Sequence, residues 1–371
     1  MHFNKNRNHI EDHNSYKGLS INKGEDQTPS LNPDAAKKFL SKKRKDLTLK
    51  EYVDGILSGN ITILSRAVTL IESSLPSHRE MAQKIIMECL PYSGKSVRLG
   101  ITGVPGAGKS TFIEALGSHL INQGSKLAVL AIDPSSEKTK GSILGDKTRM
   151  ERLSSMEGAY IRPSPSAGSL GGVARKTRET IILCEAAGYD NIFIETVGVG
   201  QSETAVHSMV DFFLLILIAG AGDELQGIKR GIMEMADGIA INKADGENIK
   251  KAELAKSQYS NALHLFPPSP SSWAPKVETC SSLSSSGVAD VWKMVMEYVT
   301  LTRKNNYFEQ NRREQSQYWM YESINEALKE NFYQNSEIKE RLKELEKLVV
   351  NGKISSFEAA GTLLEKYFKI K

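Results

Sequence analysis

Short apolar runs alternate with polar, helix-like stretches through the middle of the chain. The runs lie at residues 97–102, 127–132, 191–195, 212–218, 238–241 and 277–280. Apolar segments of this length, separated by helical segments, are typical of parallel strands that helices cover on both faces. The pattern therefore predicts an α/β fold with a mostly parallel central sheet.

Both flanks of this pattern have helical periodicity. Thr48 and Glu51 have the spacing of a capping box, so order should begin near Thr48. Beyond Asp290 the chain is expected to be helical to its end, with one apolar stripe that suits a packing or dimer seam, formed by Ile338, Leu342, Leu345 and Val349. We divide the chain into a disordered basic tail (1–45), an N-terminal helical segment (46–95), a central α/β domain (96–300) and a C-terminal helical arm (301–371).

Composition and charge exclude several classes of protein. The 371 residues carry 48 Lys and Arg against 44 Asp and Glu, a net charge of +4, which does not favour a nucleic-acid binder. Three separated cysteines, Cys89, Cys184 and Cys280, form no CxxC pair and predict reduced thiols. No apolar run reaches the ~20 residues of a membrane span. We therefore expect a cytoplasmic protein with no membrane span and no nucleic-acid partner.

A phosphate-loop motif directly follows the first predicted strand. The segment fits G-x-x-x-x-G-K-[ST] and leads into a predicted helix. This strand–loop–helix context indicates that the motif binds phosphate. Its backbone N–H groups would surround phosphates, Lys109 would reach the β- and γ-phosphates, and Ser110 would ligate Mg²⁺. The motif comprises Gly103, Val104, Pro105, Gly106, Ala107, Gly108, Lys109 and Ser110.

A base-recognition motif, NKAD, follows the predicted strand that ends at residue 241. The carboxylate of Asp245 can accept both N–H donors on the edge of guanine, a pair that adenine lacks, so it would select GTP over ATP. Asn242 can bond the purine and brace the loop, and the stem of Lys243 can pack along the ring. After the next strand, the loop Ser281, Ser282 and Leu283 can supply a backbone N–H to the guanine oxygen.

Acidic residues near other strand ends are candidates for a metal site. Asp133, Asp146 and Glu195 follow strands or lie in Gly-rich loops, and carboxylates near the γ-phosphate suit Mg²⁺. The alternative for each is a helix-capping or turn residue. A charged, Gly-flanked loop after the most apolar strand suits a nucleotide-sensing switch, although an ordinary strand–helix connection is the alternative. Its switch candidates are Asp223, Glu224, Gln226 and Lys229.

Longer segments of the chain carry a family resemblance. AIDPSS, GSILGDKTRM, RPSPSAGSLGGVARKTRE, ETVGVGQSE, AGAGDELQGIKRGI and NKAD occur here in family order and spacing. Over roughly residues 46–371 the chain resembles the MeaB/ArgK/MMAA-type GTPases, metallochaperone-like partners of adenosylcobalamin-dependent acyl-CoA mutases such as methylmalonyl-CoA mutase. The resemblance implies a P-loop NTPase fold with the GTPase domain at 96–300 and a homodimer joined partly through the C-terminal arm.

The resemblance also implies roles for individual residues. Nucleotide would be bound by Gly103–Thr111, Asp245 and Ser281–Leu283, and Mg²⁺ would lie among Asp133, Asp146 and Glu195, beside the catalytic Lys109. Asp223 and Lys229 resemble a switch that contacts the mutase. Ser282 departs from the family, which usually has alanine there; a backbone contact should survive the change.

The expected function is that of a GTPase chaperone. GTP hydrolysis to GDP would gate adenosylcobalamin loading and protect or reactivate the mutase, with slow intrinsic turnover. Gln201 is the candidate for the residue that orients water. One alternative is a kinase linked to basic amino-acid (arginine or ornithine) transport, which would need a phosphoacceptor site that the sequence does not show. Another is a nickel-insertion GTPase, with His2, His9 and His13 as metal candidates.

Overall fold

A seven-stranded parallel sheet forms the centre of the protein. The computed structural model describes residues 47–133, 150–165, 170–196, 202–220, 230–267 and 269–370. The strands are β1 (Val97–Gly103), β2 (Leu127–Asp133), β3 (Ala159–Pro165), β4 (Asn191–Thr196), β5 (Phe212–Ile218), β6 (Gly238–Asn242) and β7 (Lys276–Thr279). They are arranged in the order β3-β2-β4-β1-β5-β6-β7, and every neighbouring pair is parallel. The predicted α/β fold with a parallel sheet is confirmed.

Helices precede, connect and follow these strands. The N-terminal helices are α1 (Leu49–Leu57), α2 (Ile61–Glu72) and α3 (Pro76–Cys89). The helices among the strands are α4 (Lys109–Asn122), α5 (Glu151–Ser154), α6 (Leu170–Ala186), α7 (Ser202–His207), α8 (Arg230–Met235) and α9 (Ile249–Leu263). The C-terminal helices are α10 (Val288–Lys304), α11 (Tyr307–Gln334), α12 (Ser336–Val350) and α13 (Ser356–Ile370). In the described residues, 3₁₀ turns lie at Leu90–Tyr92 and Gly246–Asn248.

The sequence pattern predicts six of the seven strands to within one residue at each end, but it misses β3. This strand lies at the edge of the sheet and contains Pro163 and Pro165. Proline has no N–H for a ladder, so a run that contains it does not read as a central strand, although an edge strand tolerates it. Arg162 of β3 forms an ion pair with Glu72, the last residue of α2.

The core lies on both faces of the sheet. All residues from Phe212 to Leu217 in β5 are at most 2% exposed, because helices cover both faces of this central strand. On one face Phe212 meets Tyr298 of α10 edge to face at 5.2 Å between ring centres. Cys89, Cys184 and Cys280 are buried, and none of the three forms a disulfide.

The flanking helices begin and pack as the sequence indicates. The Thr48 hydroxyl accepts from the Glu51 N–H at 3.2 Å, and Glu51 Oε2 accepts from the Thr48 N–H at 2.7 Å, which confirms the capping box. Helices α2 and α3 pack on α6. In the arm, Ile338 and Leu345 of the predicted stripe are buried against α13, so at these positions the stripe is a packing seam within the arm.

Two further expectations concern the N-terminal tail and membrane spans. The predicted tail 1–45 lies outside the described residues. Among the residues that are described, no helix is long and apolar enough to cross a membrane.

Candidate nucleotide-binding site

The phosphate-loop motif connects β1 directly to α4. Gly103 ends β1 with φ +151°, and a Cβ there would lie 2.2 Å from the backbone oxygen of Ile216 in the adjacent β5. Only glycine allows this close approach of two strands. The motif therefore turns away from the sheet at its carboxyl edge, where open α/β sheets bind ligands.

The charge of Lys109 lies inside this loop. Its side chain is buried, and Nζ donates to the backbone oxygens of Gly103 at 2.8 Å and Val104 at 3.3 Å. The loop carbonyls thus hold the ammonium group beside the N-terminus of α4. A cation and a helix N-terminus together favour an anionic ligand such as phosphate.

Ser110 and Glu195 meet at the neighbouring strand end. Ser110 is the second residue of α4, just after Lys109, and its Oγ donates to Glu195 Oε1 at 3.0 Å. Glu195 lies near the end of β4, which pairs with β1. Beside it, Thr196 Oγ1 donates to Thr102 Oγ1 at 2.9 Å and joins the two strand ends. The sheet therefore brings two predicted Mg²⁺ ligands into contact.

The other metal and switch candidates lie outside the described residues. This applies to the side chain of Asp133, whose backbone ends β2, and to Gln201. It also applies to Asp146, Asp223, Glu224, Gln226 and Lys229. Within the described ranges no group of three or more His, Cys, Asp or Glu side chains could hold a metal ion. The assignments of these residues stay predictions.

The NKAD motif forms a tight turn after β6. Lys243 has a positive φ of +59°, which is uncommon for a residue with a side chain. Two hydrogen bonds hold this turn: Asn248 Nδ2 donates to the Lys243 oxygen at 2.8 Å, and the Ala244 N–H donates to the Cys280 oxygen at 3.0 Å. The turn leaves the Lys243 side chain exposed on the outside of the loop.

Asp245 is oriented by the loop that follows β7. Its Oδ2 accepts from the Ser281 hydroxyl at 2.5 Å, and Ser281 Oγ in turn accepts from the Ser284 N–H at 3.2 Å. Asp245 Oδ1 makes no hydrogen bond among the described contacts. One carboxylate oxygen therefore fixes the side chain while the other remains for a ligand.

Asn242 joins the base loops to the phosphate loop. Its Nδ2 donates to the Ala107 oxygen at 2.8 Å, and its Oδ1 accepts from the Ser282 N–H at 3.0 Å. Because β5 lies between β1 and β6, this amide reaches across the end of a strand. Both polar atoms of Asn242 are thus engaged in bracing the loops.

A cleft of about 360 Å³ lies between α4 and the loop after β7. Thr111 and Glu114 line it on one side, and Ser282 and Leu283 line it on the other. Its size falls in the range of small-molecule sites. The cleft therefore joins a predicted phosphate-binding residue to the predicted base-binding loop.

Some contacts of the site are not evident from the sequence. The Thr102–Thr196 bond and the second bond of Ser282 to Asn242 join residues from separate segments of the chain, and the support of Lys243 by Asn248 depends on the local turn. Only Ser282 carries a signal in the sequence, since it departs from the alanine usual in the family that the chain resembles.

The geometry agrees with the comparison to known families. The family model described as "Methylmalonyl Co-A mutase-associated GTPase MeaB" matches residues 64–337. The chain belongs to this family. The MeaB-family protein is 46% identical over 292 residues to the GTPase ArgK of Escherichia coli, covering 79% of this chain and 88% of that protein. It is 44% identical over 338 residues to the mouse protein named methylmalonic aciduria type A homolog, mitochondrial, covering 88% and 81% respectively.

A solved structure supports the same assignment. A crystal structure titled LAO/AO transport system kinase is 37% identical, with a TM-score of 0.69, and the match covers 87% of this chain and 99% of that one. The predicted family, the P-loop NTPase fold and a GTP-hydrolysing enzyme are thereby confirmed.

Proposed function

We propose that this MeaB-family GTPase is a chaperone for an adenosylcobalamin-dependent acyl-CoA mutase of the methylmalonyl-CoA mutase type. In this proposal, GTP hydrolysis gates cofactor loading and protects or reactivates the mutase. The family description, which names a mutase-associated GTPase, supports the choice of partner. The observation that carries the nucleotide part is the Asn242 amide, which joins the Lys109 loop to the Asp245 loop.

The two loops divide the recognition of GTP between them. Lys109 faces the β- and γ-phosphates and stabilises the negative charge that develops as water attacks the γ-phosphorus. Asp245 Oδ1 accepts from the guanine N–H donors. Because Asn242 already uses the Ser282 N–H, the Leu283 N–H is the donor that this loop offers to the guanine oxygen.

Magnesium fits the donor atoms at the strand ends. Ser110 Oγ and Glu195 Oε1 are 3.0 Å apart, and both are oxygen donors of the kind that Mg²⁺ prefers. Ser110 and Glu195 would hold the ion together with Asp133 and Asp146. When bound, the ion would neutralise charge on the phosphate oxygens.

Removal of the Lys109 ammonium tests the phosphate site. We expect Lys109→Ala to abolish GTP hydrolysis, measured as phosphate release, because no other side chain replaces this charge in the loop. Lys250→Ala, on an exposed lysine of α9, is the matched control and should retain activity. Undiminished hydrolysis in Lys109→Ala would disprove the assignment. Radioactive phosphate on an acceptor instead of in solution would favour the kinase alternative.

Exchange of the Asp245 carboxylate for an amide tests base selection. We expect Asp245→Asn to weaken GTP binding and to improve binding of xanthosine triphosphate, whose ring carries an oxygen where guanine carries an amino group. Titration of both nucleotides against the variant and the wild type measures the preference. An unchanged preference for GTP would remove Asp245 from base recognition.

The mutase partner and the homodimer need separate experiments. Co-purification with a candidate acyl-CoA mutase, with and without a non-hydrolysable GTP analogue, tests the mutase partner. Failure to form a complex in both conditions would contradict the proposal.

For the homodimer, Met320, Ile324 and Leu328 are about half exposed on one side of α11. We expect Ile324→Asp to shift the mass measured by light scattering from dimer to monomer.

A further inference from the structure

The amide of Asn242 is fully enclosed between two loops. Asn242 is 1% exposed, its Nδ2 faces the Ala107 carbonyl, and its Oδ1 faces the Ser282 N–H. A carbonyl needs a donor and an N–H needs an acceptor, so these two backbone groups fix which way the amide points. Its orientation is therefore set by the phosphate loop on one side and by the loop after β7, here called the base loop, on the other.

Ser282 contributes a second donor to the same oxygen. Its hydroxyl donates to Asn242 Oδ1 at 2.8 Å, and Ser282 is only 7% exposed. The remaining neighbour, Cys280 Sγ, is 3.7 Å from this oxygen and is a weak donor. Ser282 thus provides both strong hydrogen bonds to Asn242 Oδ1 among the described residues.

The other end of the amide packs directly on the phosphate loop. Gly108 has a left-handed φ of +88°, and a Cβ there would lie 2.6 Å from Asn242 Nδ2. The amide therefore occupies the space that a side chain at position 108, next to the N-terminus of α4, would fill. If the Ser282 hydroxyl is removed, Asn242 loses one of its hydrogen bonds, and the bond between Asn242 and Ala107 is less constrained. The phosphate loop and the loop after β7 can then separate more easily.

We propose that Ser282 is a positioning residue that slows nucleotide release. Its hydroxyl holds Asn242 in the one orientation that joins the phosphate loop to the base loop, so that both loops must open together before a nucleotide leaves. The proposal rests on the assignment of this site to a guanine nucleotide. Because the hydroxyl acts through Asn242, its loss changes the release rate and KM rather than kcat.

The experiment compares three single substitutions in the full-length protein. The release rate of a fluorescent GDP is measured after an excess of unlabelled GDP is added. We expect Ser282→Ala to release GDP about 2- to 12-fold faster, the range that corresponds to one neutral hydrogen bond. Ser282→Thr keeps a hydroxyl and should stay near the wild-type rate. Ser284→Ala makes the same truncation at an exposed position of the same loop and should leave release unchanged.

Several outcomes would overturn the inference. Release at the wild-type rate from Ser282→Ala would remove the hydroxyl from loop closure, as would equal acceleration in Ser284→Ala. A fall in kcat at constant KM would place Ser282 in the hydrolysis step instead. A thermal melt without nucleotide checks that each variant is folded. If Ser282→Ala unfolds, Ser282→Cys, a near-isosteric weak donor, replaces it. Unchanged GDP release from Ser282→Cys would also count against the inference. If the wild type itself fails to bind GDP, the proposed function fails too, whereas normal wild-type binding confines the failure to Ser282.

Discussion

Arg312 on α11 attaches the C-terminal arm to the amino-terminal edge of the sheet. Its Nε and Nη2 donate to the two carboxylate oxygens of Asp211 at 2.8 and 2.7 Å. Nη1 also donates to the Gly94 oxygen at 2.5 Å, and Nη2 to the Ser96 oxygen at 2.6 Å. Arg312 and Asp211 are 8% and 3% exposed. One guanidinium group therefore satisfies three acceptor groups in a buried position.

Removal of this guanidinium should destabilise the protein strongly. In Arg312→Ala, the Arg98 N–H at 2.8 Å is the donor that Asp211 keeps among the described residues. A buried ion pair that loses one partner typically costs about 3–5 kcal/mol, because the other charge remains buried without compensation. The Gly94 and Ser96 carbonyls lose their donor as well, so we expect the upper half of that range. Arg312→Lys keeps the charge but cannot reproduce the planar fork, and it should lose less.

Urea unfolding at equilibrium measures the change in the free energy of unfolding. Arg341→Ala is the control, because Arg341 forms an ion pair with Glu344 at 2.6 Å but the two side chains are 41% and 63% exposed. Exposed pairs contribute less than about 1 kcal/mol. If Arg312→Ala lowers the free energy of unfolding by no more than this control, the argument from burial is refuted.

Two further predictions concern a buried acid and the first glycine of the phosphate loop. Burial raises the pKa of Asp237 from 3.8 to about 7, so its contribution to stability is present below about pH 4 and is lost as pH rises through 7. Asp237→Asn should therefore gain stability relative to the wild type between pH 5 and pH 8 in urea unfolding; a difference that does not vary with pH would contradict this. Gly103→Ala should abolish GDP binding in a titration, because its Cβ would lie 2.2 Å from Ile216 O. Gly231→Ala, with open space around its Cβ, should bind normally, and equal affinity of the two variants would count against the steric argument.

The sheet is well predicted where its strands are buried on both faces. Residues 212–218 are continuously apolar because both sides of β5 meet helices, and this pattern is visible without tertiary information. β3 has no such apolar pattern, because it contains the charged Arg162, whose side chain pairs with Glu72, and two prolines that interrupt the apolar run. Its place in the sheet depends on pairing with β2, which is a tertiary contact.

The nucleotide site likewise contains residues that the sequence predicts and contacts that it does not. Gly103–Ser110 and Asn242–Asp245 are predicted because each set is contiguous in sequence and each residue type has a stated chemical role. The Ser282–Asn242 bond spans 40 positions, and the Arg312–Asp211 pair spans 101. No periodicity or spacing rule relates such pairs, so a polar residue on a loop or a helix gives no sign of its buried partner.

The arm is attached to the segment that connects α7 to β5. Besides Arg312, Gln315 Nε2 donates to the Val210 oxygen at 2.7 Å, and Trp319 Nε1 donates to the Ser208 oxygen at 3.0 Å. Three residues on successive turns of α11 therefore bind residues 208–211. In the chain, this segment leads directly into β5, the strand that pairs with β1 on one side and β6 on the other. Because buried hydrogen bonds resist separation, a shift of α11 along the sheet would also move residues 208–211 and, through them, the start of β5.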